Sequence, residues 1–242
     1  MELAGVLEEI GPGTDTGLSV DDHVMGIVFP LGSHGAYSEQ ITLPADSVTR
    51  TPAGVDDIAG STQPITLDEL ELTPGQTVAV TGAAGMYGGY VIQLARAEGL
   101  RMVADAADKD RELVEQLGAD VVVPRGDDVA AHFLTATPGG VDGLADGAIL
   151  NEKVVGAVRP GGRLVTVRHY VGEPVNGVTF HPVRVRHYVR DWPKLDRLRE
   201  LVEAGKVTPR VADTYPAAEA AEAHRRLARG GTRGRLVLTF GD

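Results

Sequence analysis

The sequence predicts an α/β fold with a doubly wound parallel sheet in its middle section, from about Val78 to Val167. The first observation is a short β-branched run at residues 77–81, which is typical of a fully buried parallel strand. The second is the glycine-rich loop that follows this run and leads into a helical pattern. The third is the alternation of strands and helices beyond that loop, which indicates βαβ units. Together these features predict a Rossmann-type domain.

The section before this domain is predicted to be β structure. Apolar or alternating runs at residues 3–7, 23–28 and 36–41 predict three strands, because clusters of Gly, Asp and Pro separate them. The segment 51–74 contains two proline-led breaks and little periodicity. It is therefore predicted to be a connector with room for one short helix.

The middle section alternates regularly. Val91, Leu94 and Ala95 have the spacing of one helix face, so a helix is predicted after the glycine loop. Gly118 is predicted to cap the next helix at its C-terminus. Further strands are predicted at residues 101–105, 121–123, 141–145 and 163–167, and further helices at 111–117, near 129–134 and at 152–158.

The last section is predicted to return from helices to a strand. The pattern indicates a strand-like stretch at 177–185, helices at about 194–203 and near 217–228, and a final strand at 235–240.

Composition excludes several classes of function. The formal net charge of −11 argues against a surface for nucleic acid or anionic membranes. A small-molecule substrate is the expected partner, although the charge itself says little about it. The absence of cysteine excludes disulfides, thiolate nucleophiles and Cys-containing zinc sites, and no metal is predicted. No apolar stretch approaches the ~18 residues of a membrane span, and residues 1–4 do not resemble a signal peptide. A cytoplasmic location is expected.

The glycine-rich loop is the strongest chemical signal. Gly82, Gly85 and Gly88 follow a predicted strand at the spacing G-x-x-G-x-x-G and precede a helix, and Met86 and Tyr87 complete the loop. Glycines there allow a tight turn and the close approach of a pyrophosphate to the helix N-terminus. These five residues are predicted to bind a dinucleotide; the alternative is a tight turn that binds nothing.

Charged residues after the next strand bear on the choice of cofactor. Asp105 and Asp108 lie 17 and 20 positions after Gly88, which fits the spacing of an acidic ribose ligand. Asp105 favours NADH, because a carboxylate repels a 2′-phosphate. Lys109 and Arg111 could instead bind that phosphate and favour NADPH. Both cofactors stay open on these residues.

Motifs spread over nearly the whole chain resemble, in the same order, those of one enzyme superfamily. They are Ala-Gly-Val at 4–6, Gly-Pro-Gly at 11–13, Asp-His-Val-Met-Gly at 22–26, Gly-Ala-Tyr-Ser-Glu at 35–39, Leu-Thr-Pro-Gly-Gln-Thr-Val at 72–78, Gly-Ala-Ala-Gly at 82–85, Leu-Gly-Ala-Asp at 117–120, Arg-Pro-Gly-Gly-Arg-Leu-Val at 159–165, Ala-Ala-Glu-Ala-His-Arg-Arg-Leu at 220–227 and Arg-Gly-Arg-Leu-Val-Leu at 233–238. In these motifs the chain resembles the medium-chain dehydrogenase/reductase superfamily, in its zinc-free quinone oxidoreductase and enoyl reductase branch.

The resemblance implies a reduced GroES-like β-barrel domain that the chain leaves for the Rossmann domain and later rejoins. The implied boundaries are 1–70 for the partial barrel, 71–190 for the Rossmann domain and 191–242 for the returning segment. It also implies NADPH in the cleft between domains, hydride transfer to a quinone, enone or enoyl thioester, and a homodimer through the Rossmann domain.

The chain departs from the resemblance in three places. Met1 lies close to the first predicted strand, whereas the family typically begins several dozen residues earlier, so an N-terminally trimmed form is expected. The connector at 60–70 is short. In the cofactor region, Met86-Tyr87 replaces a small pair, Asp105 replaces a small or hydroxyl residue, and Pro124 replaces a tyrosine. A trimmed cleft excludes water less well, and hydride transfer benefits from a dry site.

Candidate catalytic residues lie in two places. Tyr37 could donate a proton, and the neighbouring His34 could act as acid or base near neutral pH. His169 and Tyr170 follow the last strand of the parallel run, at the edge where ligands bind. Arg168 shares that position and is predicted to bind the cofactor, since it could hold a phosphate or a carboxylate.

These observations predict a nicotinamide-dependent reductase of a quinone or activated C=C substrate, with NADPH as cofactor and NADH as the alternative. Two other classes stay open. One is non-redox acid–base chemistry on the same scaffold, such as cyclisation, isomerisation or dehydration. The other is a non-catalytic binding protein.

Overall fold

The computed structural model describes residues 2–31, 35–55 and 64–241, with the backbone alone for 64–66. The chain forms two compact units: Met1–Thr62 with Val185–Asp242, and Gln63–Arg184. The sequence placed these boundaries at 70/71 and 190/191. The second unit begins earlier because the short helix at Pro64–Leu70 contacts strands and a helix of that unit.

Eleven strands and six α-helices are found in the described residues. In chain order they are β1 (Glu2–Val6), β2 (His23–Ile27), β3 (Val48–Arg50), α1 (Pro64–Leu70), β4 (Thr77–Thr81), α2 (Met86–Ala97), β5 (Arg101–Ala106), α3 (Arg111–Leu117), β6 (Val121–Pro124), α4 (Val129–Ala136), β7 (Val141–Asp146), β8 (Val158–Thr166), β9 (Thr179–Pro182), α5 (Trp192–Glu203), β10 (Val211–Pro216), α6 (Ala220–Arg229) and β11 (Arg235–Thr239).

The second unit contains a six-stranded sheet in the order β6-β5-β4-β7-β8-β9. All five strand pairs are parallel, and the order reverses between β4 and β7. The predicted α/β fold class, a Rossmann doubly wound sheet, is therefore confirmed. Ligands of such sheets bind outside the carboxyl ends of the strands, at this reversal point.

Burial explains why these residues form a parallel sheet. Val78, Ala79 and Val80 of β4 are fully buried, as expected for a strand covered on both faces. The helix face predicted from Val91, Leu94 and Ala95 is also buried. A larger hydrophobic cluster lies between the sheet, α4 and the segment before β8, and Phe133, Leu144 and Leu164 belong to it.

The first unit joins both ends of the chain. Strands β1, β2 and β3 form an antiparallel sheet, and β10 pairs with β11 in parallel. Met25, Ile27 and Leu195 form its small core. The Thr49 hydroxyl donates to the Asp196 carboxylate at 2.8 Å, so α5 is bonded to β3.

Three predicted elements are corrected. The strand predicted at 36–41 is wrong, because the backbone bends there. The Ser38 hydroxyl donates to the Gln40 carbonyl, a local hydrogen bond that competes with strand pairing. The predicted helix at 152–158 is a 3-10 helix at Asn151–Ala157, whose buried Val154 and Ala157 are three residues apart. Strand β8 starts at residue 158 and is longer than predicted.

Strands β3 and β10 were not predicted. β10 is largely exposed and lacks an apolar period, so local sequence does not indicate it, and it is defined by its pairing with β11. Among the described residues, no helix combines the length and apolar character needed to cross a membrane.

Candidate functional site

The candidate site lies at the carboxyl edge of the second unit's sheet. Thr81, Asp146, Thr166 and Pro182 are aligned across β4, β7, β8 and β9. Each is the last residue of its strand, so the loops that follow leave the sheet at the same level. The reversal of strand order places this edge where a ligand is expected.

The glycine loop connects β4 to α2. Gly82 has φ +67°, in the left-handed region that favours glycine. A Cβ atom at Gly88 would lie 2.6 Å from the Cα of Ala83 and from the carbonyl oxygen of Gly82. Only glycine therefore allows α2 to approach the loop this closely. Gly85 occupies the N-cap of α2, and the N-terminal end of this 12-residue helix lies at the end of β4. Such an end favours an anion.

Asp105 holds the glycine loop against β5. Its side chain is 5% exposed, and its Oδ1 accepts a hydrogen bond from the backbone N–H of Ala83 at 3.0 Å. Burial raises the pKa of the Asp105 carboxyl, while the Ala83 N–H and the charge of Arg125 oppose this effect. The residue proposed from sequence as a ribose ligand thus has a structural contact of its own.

Two cationic side chains are exposed beyond β5 and β6. Lys109 lies in the 3-10 turn Asp108–Asp110 after β5. Arg125 follows β6, and its backbone N–H donates to the carbonyl of Ala106 at 3.1 Å. By contrast, the Arg111 guanidinium donates to the Val122 carbonyl at 3.0 Å, so it is used within the fold. Sequence reasoning missed Arg125, although its position two residues after a predicted strand was a usable signal.

A buried polar network fixes the loop after β7. The Thr81 hydroxyl donates to Asp146 Oδ1 at 2.6 Å and accepts from the Ala148 N–H at 3.1 Å. Asp146 Oδ2 accepts from the Asn151 N–H at 2.6 Å. Asp146 is fully buried, so these bonds compensate for the loss of water around its carboxylate.

Tyr87 connects the glycine loop with the loop after β7. A Cβ atom at Gly147 would lie 2.6 Å from Cδ1 of Tyr87, so the ring lies against the backbone of Gly147. Met86 and Tyr87 are both half-buried. The ring therefore lies at the reversal point of the sheet, beside the glycine loop.

Left-handed residues concentrate in two neighbouring loops. Among the described residues, seven that are not glycine have positive φ, and four of them lie within the first five residues after the end of β7 or β8. These four are Ile149 (φ +60°), Asn151 (φ +55°), Arg168 (φ +56°) and His169 (φ +60°). Each such residue costs of order 1–3 kcal/mol, and residues of this kind cluster at ligand sites.

The three residues predicted after β8 have different environments. Arg168 and His169 are exposed. The Tyr170 ring packs edge-on against Phe180, with ring centroids 5.8 Å apart, and the Thr166 hydroxyl donates to the Tyr170 carbonyl at 2.6 Å. Tyr170 therefore anchors the turn to the core, while Arg168 and His169 face solvent.

The remaining candidates belong to the first unit. The Tyr37 hydroxyl and His224 Nε2 share a hydrogen bond of 2.8 Å, and Tyr37 is 58% exposed. His224 is a partner that sequence reasoning missed, because 187 positions separate the two residues. His34 lies outside the described residues.

Comparison with known proteins gives a consistent family. Residues 117–238, half of the chain, match the family model described as zinc-binding dehydrogenase. The chain is 28% identical over 267 residues to a 2-haloacrylate reductase of a Burkholderia species, covering 98% of this chain and 79% of the relative. It is also 28% identical over 265 residues to a quinone oxidoreductase of Pseudomonas aeruginosa, covering 98% and 80%.

A solved structure supports the same relation. An alcohol dehydrogenase superfamily protein from Novosphingobium aromaticivorans superposes with a TM-score of 0.84 at 26% identity, over 100% of this chain and 81% of that one.

The donor set does not fit the zinc in the family's description. The chain has no cysteine. Among the residues that the structure describes, no group of three or more His, Asp or Glu side chains could hold a metal ion. The chain belongs to the zinc-binding dehydrogenase family and, within the medium-chain dehydrogenase/reductase superfamily, to the quinone oxidoreductase-like branch of NAD(P)H-dependent oxidoreductases.

Proposed function

We propose that this protein reduces an activated carbon–carbon double bond or a quinone, using NADPH bound at the carboxyl edge of the second unit's sheet. One observation carries the proposal: the close-packed glycine loop places the N-terminus of α2 at the end of β4, beside the reversal point. This is where such sheets bind a pyrophosphate.

The residues present fit a dinucleotide whose adenosine half lies toward β6 and whose nicotinamide lies toward β8. The loop containing Gly82, Gly85 and Gly88 would hold the pyrophosphate, and the β5–β6 side would hold the adenosine half. The loops after β7 and β8 would then border the nicotinamide. When bound, the reduced cofactor would supply a hydride to the substrate. His169, exposed in the loop after β8, is our candidate for the proton donor, and Tyr170 holds that loop in place.

Charge on the adenosine side favours NADPH over NADH. Lys109 and Arg125 place two exposed cations after neighbouring strands. Asp105 opposes a 2′-phosphate less than its charge suggests, because burial disfavours its ionised form and one oxygen already accepts from the Ala83 N–H. Lys109 and Arg125 would therefore recognise the 2′-phosphate.

Titration with NADPH and with NADH tests the proposal, with nicotinamide fluorescence and thermal stability as readouts. We expect saturable NADPH binding and a rise in Tm, because a ligand that binds the native state stabilises it. Lys109→Gln and Arg125→Gln should each weaken NADPH binding about tenfold and leave NADH binding unchanged. Arg101→Gln is the matched control, since Arg101 is the first residue of β5 and so lies at the amino ends of the strands, away from the proposed site.

Absence of binding by either nucleotide would overturn the proposal. The second candidate, non-redox acid–base chemistry, would then gain support from the Tyr87 ring, which lies against Gly147 at the reversal point. Tyr87→Val distinguishes the reductase from the non-redox enzyme. If the Tyr87 ring only reduces the space for the cofactor beside the glycine loop, this variant should bind NADPH at least as tightly as the unchanged protein.

A further inference from the structure

Two turns with the same backbone geometry lie within ten residues of each other. In each, both central residues have positive φ: Arg168 (+56°) with His169 (+60°), and Asn176 (+51°) with Gly177 (+77°). The first turn is closed by the Tyr170 N–H on the Val167 carbonyl at 3.5 Å, and the second by the Val178 N–H on the Val175 carbonyl at 2.9 Å. Both have the features of type I′ turns.

The two turns differ in how well their residues suit the geometry. Asn-Gly is the pair that a type I′ turn favours. Arg-His is not such a pair, because an arginine side chain is strained in the left-handed region, although histidine is more common there. The turn itself therefore does not explain why Arg168 and His169 are present. Strain of this kind is tolerated where the side chains have another use.

Strand register places the end of β8, two residues before Arg168, at the nicotinamide end of the proposed site. Thr166, the last residue of β8, is aligned with Asp146, which is aligned with Thr81 at the start of the glycine loop. Neighbouring strands are about 4.8 Å apart, so the end of β8 lies about 10 Å from that loop. In the strand order, the end of β8 lies on the opposite side of β4 from β5 and β6. Lys109 and Arg125, the proposed ligands of the adenosine half, follow β5 and β6.

The chemistry of this end points to an anionic substrate. The pyrophosphate is expected at the helix N-terminus and the 2′-phosphate beyond β5, so neither cofactor phosphate needs Arg168. A guanidinium binds a carboxylate through two parallel hydrogen bonds. Ile149, 39% exposed, follows the neighbouring strand β7 and adds an apolar side chain to the same edge.

We propose that the substrate is an α,β-unsaturated carboxylate whose carboxylate is bound by Arg168, an inference that depends on the proposed function. In the balanced reaction, the C=C π bond breaks while the β-carbon gains a hydride and the α-carbon gains a proton, and NADPH is oxidised to NADP⁺. Negative charge develops on the carboxylate oxygens after hydride addition. Arg168 would stabilise this charge in the transition state, and His169 would supply the proton.

The test compares 2-chloroacrylate with its methyl ester as substrates of the full chain with NADPH. We expect the unchanged protein to prefer the acid. Arg168→Gln should raise KM for the acid about tenfold and leave KM for the ester unchanged. Binding of the saturated acid 2-chloropropionate to the NADP⁺-loaded protein, measured by calorimetry, should weaken by a similar factor. Arg101→Gln should change none of these values.

Two further variants separate the carboxylate contact from the fold of the turn. Arg168→Asn suits the left-handed backbone, so it should fold at least as stably and lose the preference for the acid. Arg168→Lys keeps the charge without the bidentate geometry and should restore part of the preference.

The outcomes separate this inference from the function on which it depends. If the unchanged protein binds NADPH and reduces the ester without preferring the acid, the inference is wrong and the proposed function stands. If Arg168→Gln weakens NADPH binding itself, Arg168 contacts a cofactor phosphate and the inference is wrong. If the unchanged protein binds neither nucleotide, both proposals fall.

Discussion

At the scale of single residues, Asp105 shows how one side chain can serve the fold beside a proposed ligand site. Its spacing from the glycine loop predicts contact with a ribose. Its observed hydrogen bond is to the Ala83 N–H, and its side chain is buried. A carboxylate in this position ties the loop to β5. The geometry of the pyrophosphate loop therefore depends on a residue from the next strand.

Asp105 should make the stability of the protein depend on pH. Its folded-state pKa is raised, mainly by burial. The folded state then binds the proton more tightly than the unfolded state, whose pKa is about 3.9. The resulting stabilisation is fully present below the unfolded pKa and is lost as the pH rises through the folded pKa. Asp105→Asn cannot ionise and can still accept from Ala83, so it should remove this part of the pH dependence.

Urea denaturation in buffers upward from about pH 4 measures this effect. Asp105→Ala should lower the free energy of unfolding by about 1–3 kcal/mol at every pH, because the buried Ala83 N–H loses its acceptor. Asp108→Asn is the control, since Asp108 is exposed beyond the same strand. An unchanged pH slope in Asp105→Asn would show that the carboxyl is not the source of the dependence.

The cations of the site show what spacing along the chain can and cannot predict. Lys109 was identified from its position after β5 and is exposed there. Arg111 was identified on the same grounds, yet its guanidinium bonds to the Val122 carbonyl of β6. Arg125 was missed. Whether each cation is exposed at the site or bonded within the fold depends on which strand lies beside β5. Local sequence does not contain that information.

At the scale of elements, the sequence predicted best where local patterns and tertiary burial agree. Strand β4 and helix α3 have the predicted bounds, and Gly118 caps α3 with φ +114°. These elements combine a strong apolar pattern with clear end signals. Strand β10 has neither, and its stability depends on pairing with β11. In this pairing Val211 is aligned with Arg235, 24 positions later in the chain. The strand predicted at 36–41 has the alternation of a strand but no observed strand partner.

The turn after β8 should be replaceable by a more stable one. Exchanging Arg168-His169 for Asn-Gly, the pair at 176–177, should raise the free energy of unfolding by about 1–3 kcal/mol, because the relief of left-handed strain exceeds the entropy cost of the added glycine. The same variant should lose reductase activity if the exposed side chains act on the substrate. Urea denaturation and NADPH oxidation measure the two effects.

The second turn provides the matched control. Asn176→Arg should lower the free energy of unfolding by a similar amount, since it introduces the strain that the first turn already has. It should leave activity unchanged. A stable Asn-Gly exchange at 168–169 with full activity would contradict a functional reason for the strained pair.

At the scale of the whole molecule, the two units differ in how the chain builds them. The second unit is continuous in sequence and has the larger core. The first unit needs both chain ends: Glu2 pairs with Arg235, and the Glu203 carboxylate accepts from the Ala53 N–H at 3.0 Å. Pairing at such sequence separations leaves no local periodicity. Family motifs from both ends, rather than patterns within one segment, were the signal that joined them.

The edge strand β9 supports the prediction of a homodimer formed through the second unit. β9 is the last strand of the sheet order, and the adjoining Val183 N–H donates to the Thr166 carbonyl of β8 at 2.9 Å. By the alternation of a parallel ladder, the backbone of Phe180 then faces outward and can pair with another strand. Thr179→Lys, at an exposed position of this edge, should weaken the dimer; Thr135→Lys on α4 is the control.

The net charge of each chain determines how this dimer should respond to salt. Two protomers with a formal charge of −11 repel each other at long range. Salt screens that repulsion over about 10 Å at 0.1 M, whereas it affects apolar and backbone contacts of the edge much less. Sedimentation velocity should therefore show tighter association as salt increases, and weaker association for Thr179→Lys at each salt concentration. A monomer under all conditions would contradict the dimer, and dissociation by salt would indicate ion pairs across the interface instead of a paired strand edge.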